Sequence, residues 1–468
     1  MVVRSYRQQS IYEELARQLL PDHEALEWEA WMVKVDQVLA DGELLDIAQT
    51  ALEKRWPRSR NRGRRGTPVE VVLRMLLLKH LKDWSYAELE REVRANLIYR
   101  GFTRVQMERV PDEKTLVRLG QALGPVIKQL HERVVVLAAE RKVARGRKLR
   151  IDTTVTEKNI RYPTDSQLLG DGIRVITRTV KKLQRVIGSQ EMKFRNRARS
   201  VNRRLLEIAR AARQTGEAGK EKLQRGYEKL LVTAQRVVGA GERAVEQLGQ
   251  QAKRLRSARP KARAAALCQQ TRETIALTRR VMAQTKARVC HGNQHYPGKV
   301  LSIFEPDTEA IRKGKANKPT EFGKLVKIQE AENQVVVDYE VYDVRPGDES
   351  LLLPAIEKHK AVFGQAPRLL AADAGFFSAA NETAAEAAGV KQVAIPSKGT
   401  KSAKRRARQH QRWFRRGQRW RVGCEGRISV LKRKHGLDRC RYRGREGIQR
   451  YVGLGVIANN LLAIADSS

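Results

Sequence analysis

Cysteine is scarce in this sequence and what there is comes unpaired. Cys268, Cys290, Cys424 and Cys440 are the only four in 468 residues, they lie far apart, and none forms a CxxC pair. That excludes a small disulfide-stapled fold and leaves free thiols in a reducing cytosol as the expectation. Cys290, His291 and His295 lie close together but lack a fourth ligand, so they do not make a zinc site. Long apolar runs are missing too. The longest, Val452 to Ala465, is interrupted by Asn459 and Asn460; it is too short to span a bilayer and reads as a buried terminal helix. The opening residues, Met-Val-Val-Arg-Ser-Tyr-Arg, lack the apolar segment of a signal peptide. No membrane partner is expected, and the expected location is the cytoplasm, in association with the nucleoid. Acids are the third shortage: 52 Asp+Glu stand against 93 Lys+Arg, and between Lys391 and Arg450 only Glu425, Asp438 and Glu446 occur.

What is present is a globular composition, 41% hydrophobic, in a chain long enough for more than one domain. The net charge of +41 repels itself unless a polyanion neutralises it. Nucleic acid is the commonest such partner, because each neutralised phosphate releases a bound counterion. A ribosomal or packing protein would carry the same charge, so composition gives a partner and no reaction.

Three parts follow along the chain. Residues 1–145 read as a helical N-terminal DNA-binding domain. Leu73, Leu76, Leu77 and Leu81 recur at helical spacing after Thr67 and Pro68. Ser85 and Glu88 form a capping box, a third helix starts near Pro111-Asp112, and the series is helix-turn-helix-like. Upstream, Arg58, Arg60, Arg62, Arg64 and Arg65 form an arm suited to a minor groove or to phosphates, or else a solvated linker. Residues 172–290 read as an inserted helical arm. Ile173, Ile176, Val180, Leu183 and Ile187 give it a coiled-coil seam, with breaks near Gly216 and Pro260. Residues 146–171 and 291–468 read as mixed α/β. Strands are expected at Lys148–Val155, Val300–Phe304, Arg368–Asp373 and Lys391–Ile395, with a hairpin turning at Asn333.

Three acids stand out by context. Asp152 and Asp373 end apolar strands, and Glu425 lies on a helix in the most basic stretch. An acid at a strand end is often only a cap, so no single one decides. Together, carboxylates at buried strand ends need compensating charge, which a divalent cation supplies. Oxygen ligands suit Mg²⁺ or Mn²⁺, and two such ions stabilise both oxygens of an in-line phosphodiester displacement.

With the flanking residues included, the sequence resembles bacterial insertion-sequence transposases of the DDE type. The motifs are Ile151-Asp152-Thr-Thr154 with Tyr162-Pro-Thr-Asp165; Lys313-Gly-Lys315 with Glu321-Phe-Gly323; Ala372-Asp373-Ala-Gly-Phe376 with Lys398; and Arg421-Val-Gly-Cys-Glu425 with Lys432. The last is the family's Arg-x3-Glu-x6-Lys signature, and Asn459-Asn-Leu461 is also similar. The resemblance implies an RNase H-like mixed sheet with an all-α N-terminal domain and an inserted helical arm. It implies metal-dependent cleavage at element ends, then strand transfer into target DNA. Asp152, Asp373 and Glu425 would hold two Mg²⁺ or Mn²⁺ ions, while Arg421, Lys432 and Lys398 would hold phosphates. The partners implied are duplex DNA, as terminal inverted repeats and target, and a second copy of the chain in the DNA complex. Two departures stand. Gln418 takes the position of the signature's usual tyrosine, for which Trp413 or Trp420 would substitute at the DNA, and the long insertion follows the first acid rather than the second. The alternatives are a hydrolytic nuclease without strand transfer, and a non-catalytic nucleic-acid-binding protein from a decayed element.

Overall fold

The β-branched stretch around Asp152 becomes the eleven-residue strand β1 (Lys148–Lys158) in this computed structural model, which describes residues 1–5, 28–55, 65–189, 192–312 and 319–467. The other strands are β2 (Glu309–Arg312), β3 (Thr320–Glu330), β4 (Val336–Val341), β5 (Leu369–Ala372), β6 (Gln392–Ala394) and β7 (Arg439–Cys440). Their order is β2-β3-β1-β5-β6, with β4 also on β3 and β7 also on β1. The sheet is mixed: β1, β3 and β4 run antiparallel, and β1, β5 and β6 run parallel. Asn333, at φ 51°, turns the β3–β4 hairpin where it was expected, and its side chain donates to the Val143 carbonyl. Gly323 lets β3 lie close against β1, since a Cβ there would stand 2.1 Å from the Thr156 carbonyl oxygen.

The N-terminal helices are α1 (Ala30–Leu39), α2 (Gly42–Lys54), α3 (Val69–Leu81), α4 (Tyr86–Ala95), α5 (Leu97–Phe102), α6 (Glu113–Leu123) and α7 (Ile127–Glu140). Local chemistry sets their starts. The Ser85–Glu88 capping box forms with both bonds made, and the Asp112 carboxylate caps α6. Pro68 is the cap of α3 itself, one residue later than Thr67, the expected cap. α3 is buried on every side, Arg74, Lys79 and His80 included, and Arg74 is held there by Glu70 and Asp36. The reason is that these helices do not form a core of their own. Leu76 and Val135 belong to one apolar cluster with Ile151 of β1, Leu370 of β5 and Leu454 of the terminal helix. The helical N-terminus and the sheet, expected as separate domains, therefore share a core. Packing divides the chain into residues 1–159 with 311–468, and residues 160–310.

The first unit continues with α12 (Leu352–Phe363), α13 (Ala379–Ala387), α14 (Ala403–His410), α15 (Arg412–Lys434) and α16 (Gly444–Ser467). Among the described residues α16 alone is long and apolar enough to cross a membrane, and 89% of that window is buried in the protein, as expected of a terminal core helix.

The second unit is four helices, α8 (Asp165–Ile187), α9 (Ala198–Ala211), α10 (Glu217–Lys253) and α11 (Ala258–His291). Ile173, Ile176, Val180 and Leu183 form the buried seam of α8. The strand expected at Val300–Phe304 is not there. The segment is irregular, with Val300 and Ile303 packed into the helical core. The side-chain amide of Gln284 satisfies both the Val300 N–H, at 2.9 Å, and its carbonyl, at 3.1 Å, replacing a ladder partner.

Candidate active site

A strand with a gap along one edge creates the site. β5 pairs with β1 only as far as Ile151 opposite Ala372, and β7 takes up the pairing again at Glu157 opposite Arg439. Asp152 sits where the gap opens. A cavity of about 580 Å³ lies against it, lined by Asp152, Thr154, Glu425, Ser429, Lys432 and Asp438 among others.

Asp373 is the residue after Ala372, as Asp152 is the residue after Ile151. The parallel register pairs Ile151 with Ala372, so each acid follows directly on the last paired residue of its strand. Each carboxylate turns back to its own backbone: Asp152 accepts from the Thr153 N–H at 2.7 Å, and Asp373 from the Ala374 N–H at 2.5 Å.

Glu425 comes to the same place on α15. The Arg421 guanidinium, one turn earlier, donates to Glu425 at 2.7 Å and stands 3.6 Å from Asp152. The helix can lie this low because of Gly423, where a Cβ would be 2.2 Å from Arg150 Nη1. Arg150 is two residues before Asp152. It forms a two-toothed ion pair with the buried Glu330 of β3 and donates to the Trp420 carbonyl of α15 at 2.5 Å. Gln418 also belongs to this anchorage, donating to the Ala372 and Ala394 carbonyls of β5 and β6. Where the signature usually has tyrosine, this chain uses an amide to fasten the helix to the strand ends. Burial pushes the Cys424 thiol well above its ordinary value, so the cysteine beside Glu425 stays a neutral packing residue.

Lys432 lines the cavity, 3.8 Å from the buried Glu321. Lys398 is exposed on the loop after β6. Trp413 and Trp420 are half-buried against Leu369, Ala371, Ala394 and Phe414, and the Trp420 ring lies 4.8 Å from the Arg150 guanidinium carbon, so both have intramolecular partners. Arg65 is exposed just before α3, while Arg58, Arg60, Arg62, Arg64 and the Lys313–Lys315 motif lie outside the described residues. Among the described residues no three His, Cys, Asp or Glu side chains are gathered tightly enough to hold a metal ion. Asp152 and Glu425 line one cavity, and Asp373 follows the strand paired with β1 without lining it.

Family comparison finds matches at two places. Residues 18–121 match the model of a transposase domain (DUF772), and residues 384–465, which include Glu425, match a transposase DDE domain. Together the two matches support an insertion-sequence DDE transposase. No curated protein and no solved structure matches it. Both matched stretches of the transposase fall within the unit that carries the sheet.

Sequence reading passed over several residues around this candidate site. Arg150 had a usable signal: it shares a strand face with Asp152, and a cation inside an apolar strand needs a partner. Arg427 had none; its bond to Asn459 of α16, at 2.8 Å, joins residues distant in sequence. Asp348, whose carboxylate lies 3.4 Å from the Thr153 hydroxyl, comes from a short 3-10 turn (Asp348–Leu351) with no distinguishing pattern.

Proposed function

We propose that this transposase cuts DNA at the ends of an insertion sequence and joins the freed ends to target DNA, with Asp152, Asp373 and Glu425 as ligands of two Mg²⁺ or Mn²⁺ ions. The observation that carries the reading is Arg421, which bonds Glu425 and stands 3.6 Å from Asp152 at the point where the β1–β5 pairing ends, one residue before Asp152 and Asp373. The antiparallel β4-β3-β1 strands continued by parallel β5 and β6 are the arrangement of an RNase H-like sheet, which supports the same reading.

The donor set fits hard divalent cations, being carboxylate oxygens alone. Arg421 places positive charge between Asp152 and Glu425, which is where acids so close need it. Bound there, the ions would stabilise the attacking and leaving oxygens of a phosphodiester displacement. The protein's own part is positional. Arg150, Glu330 and Gln418 fix α15 against the sheet, and Glu425 inherits that rigidity. Lys432 and Arg433 give the cavity wall a positive charge suited to phosphate oxygens. The N-terminal region and Arg65 would grip the terminal repeats, and a second copy of the chain would hold the second DNA end.

The test uses purified protein, duplex DNA carrying the terminal inverted repeats, a target plasmid and Mg²⁺. The expected products are a free 3′-hydroxyl at the element end and then a joined strand. D152N, D373N and E425Q each bring both to background while DNA binding persists. Cut strands that never join would make the protein a hydrolytic nuclease, and cleavage that survives D152N would remove the site assignment altogether.

A further inference from the structure

We propose that the groove between α8 and α9 binds the phosphate backbone of duplex DNA, through Arg174, Arg178, Lys181, Lys182 and Arg185. The proposal rests on the transposase reading for the identity of the polyanion. Its physical basis lies wholly within residues 160–310, which carry 32 Lys+Arg against 13 Asp+Glu.

The groove encloses about 560 Å³. Its cationic wall follows from the period of α8. Positions 174, 178, 181, 182 and 185 fall on one side of the helix at steps of three and four. Ile173, Ile176, Val180 and Leu183 take the other side and are buried. Arg178, Lys182 and Arg185 are exposed and make no ion pair among the described residues. The one acid lining the groove, Asp171, is already bonded to Arg174 at 2.6 Å. Arg161 adds a further positive charge to the lining. α9 begins at the same groove with no acid in its first turn, and although Asn196 takes the Ala198 N–H, the positive end of the helix dipole reinforces the sign.

The dimensions select the ligand. At about 1.5 Å of rise per residue, Arg174 to Arg185 spans roughly 16 Å. One DNA strand presents a phosphate about every 3.4 Å of helix axis. A row of that length therefore meets several consecutive phosphates, whereas a single small anion would leave most of the row unsatisfied. Mutually repelling side chains held in line on a rigid helix are stabilised by a polyanion whose charges are also in line.

The experiment measures binding of the full-length protein to a short fluorescent duplex of random sequence as salt is raised. Every phosphate that a variant no longer neutralises reduces the slope of log Kobs against log salt by about 0.9 in magnitude. R178A/K182A/R185A is expected to reduce it by about 2.7, and R178K/R185K to leave it at the wild-type value. Should the triple variant misfold, the milder R178Q/K182Q reads a drop of about 1.8 in the same assay. An unchanged slope in a folded alanine or glutamine variant overturns the proposal. D152N leaves α8 intact and keeps the wild-type slope, so failure of the groove and failure of the cleavage reading are seen separately.

Discussion

Arg150 and Glu330 form a buried ion pair beneath the helix that carries Glu425. Nε and Nη2 of the arginine donate to the two carboxylate oxygens at 2.9 and 2.5 Å, and Glu330 is fully shielded from solvent. Burial pushes the Glu330 carboxyl up, and the Arg150 and Arg427 guanidiniums pull it back. Such a pair adds little over apolar packing, but losing one partner strands the other. E330A is therefore expected to cost about 3–5 kcal/mol in urea unfolding. The double variant R150M/E330L should recover most of that stability while remaining defective in cleavage, because the bond from Arg150 to the Trp420 carbonyl is gone. A double variant no more stable than E330A would show that the pair contributes more than mutual neutralisation.

Gly423 and Gly426 test the close approach of α15. A methyl group at 423 would meet Arg150 Nη1 at 2.2 Å, whereas at 426 nothing lies within 4 Å. Alanine is the better helix former by about 1 kcal/mol. G426A should accordingly raise stability by up to about that amount and leave cleavage as it was. G423A should lower both, since either the helix rises or Arg150 moves. Equal behaviour of the two variants in thermal unfolding would mean that contact with Arg150 does not set the height of the helix.

Two buried histidines predict acid sensitivity at mild pH. Burial holds His131 and His435 down to about 4, with Lys128 adding to the effect at His131. In the unfolded chain both titrate near 6.5. Above that value both states are neutral and nothing is lost. As pH falls below it, the unfolded chain takes up protons that the folded one refuses, so stability declines between about 6.5 and 4, by up to about 3 kcal/mol per histidine. Urea midpoints at about pH 7 and about pH 5 should show the decline before carboxylate titration contributes much. H131Q should show a shallower decline than the wild type.

Local chemistry was legible in the sequence, and distant pairing was not. The Ser85–Glu88 box, the Asp112 cap, the Asn333 turn and the seam of α8 each depend on residues within a few positions of one another, and each forms. The Val300–Phe304 segment misled because an apolar run reads alike whether it joins a sheet or is tucked onto helices. Its deciding partner, Gln284, lies 16 residues earlier. The three acids could be picked out as charges in apolar or basic surroundings. Where they lie in the fold depends on the β1–β5 register and on Arg150, whose partner Glu330 is 180 residues away. No pattern in the sequence announces that pairing.

The adjacent asparagines of α16 should separate stability from activity. Asn460 acts as a ladder partner for β4: it accepts from the Val336 N–H at 2.9 Å and donates to the Val336 carbonyl at 2.8 Å, fully buried. N460L leaves the Val336 N–H unsatisfied, at about 1–3 kcal/mol, while the Val336 carbonyl keeps its bond to the His131 ring at 2.9 Å. Cleavage by the protein that still folds should stay near normal, because Asn460 bonds the hairpin and the Asn459 amide at 3.2 Å but not Arg427. Asn459 instead donates to the Gln334 carbonyl at 3.2 Å and accepts from Arg427 at 2.8 Å. Arg427 is two residues past Glu425 and 3.8 Å from Glu330, so N459L loosens the support of α15 itself. N459L should therefore lose more cleavage than N460L for the same loss of stability. Rates measured well below each variant's unfolding transition decide the point, and an identical ratio of activity to stability in both would show that α16 supports the sheet and not the helix of Glu425.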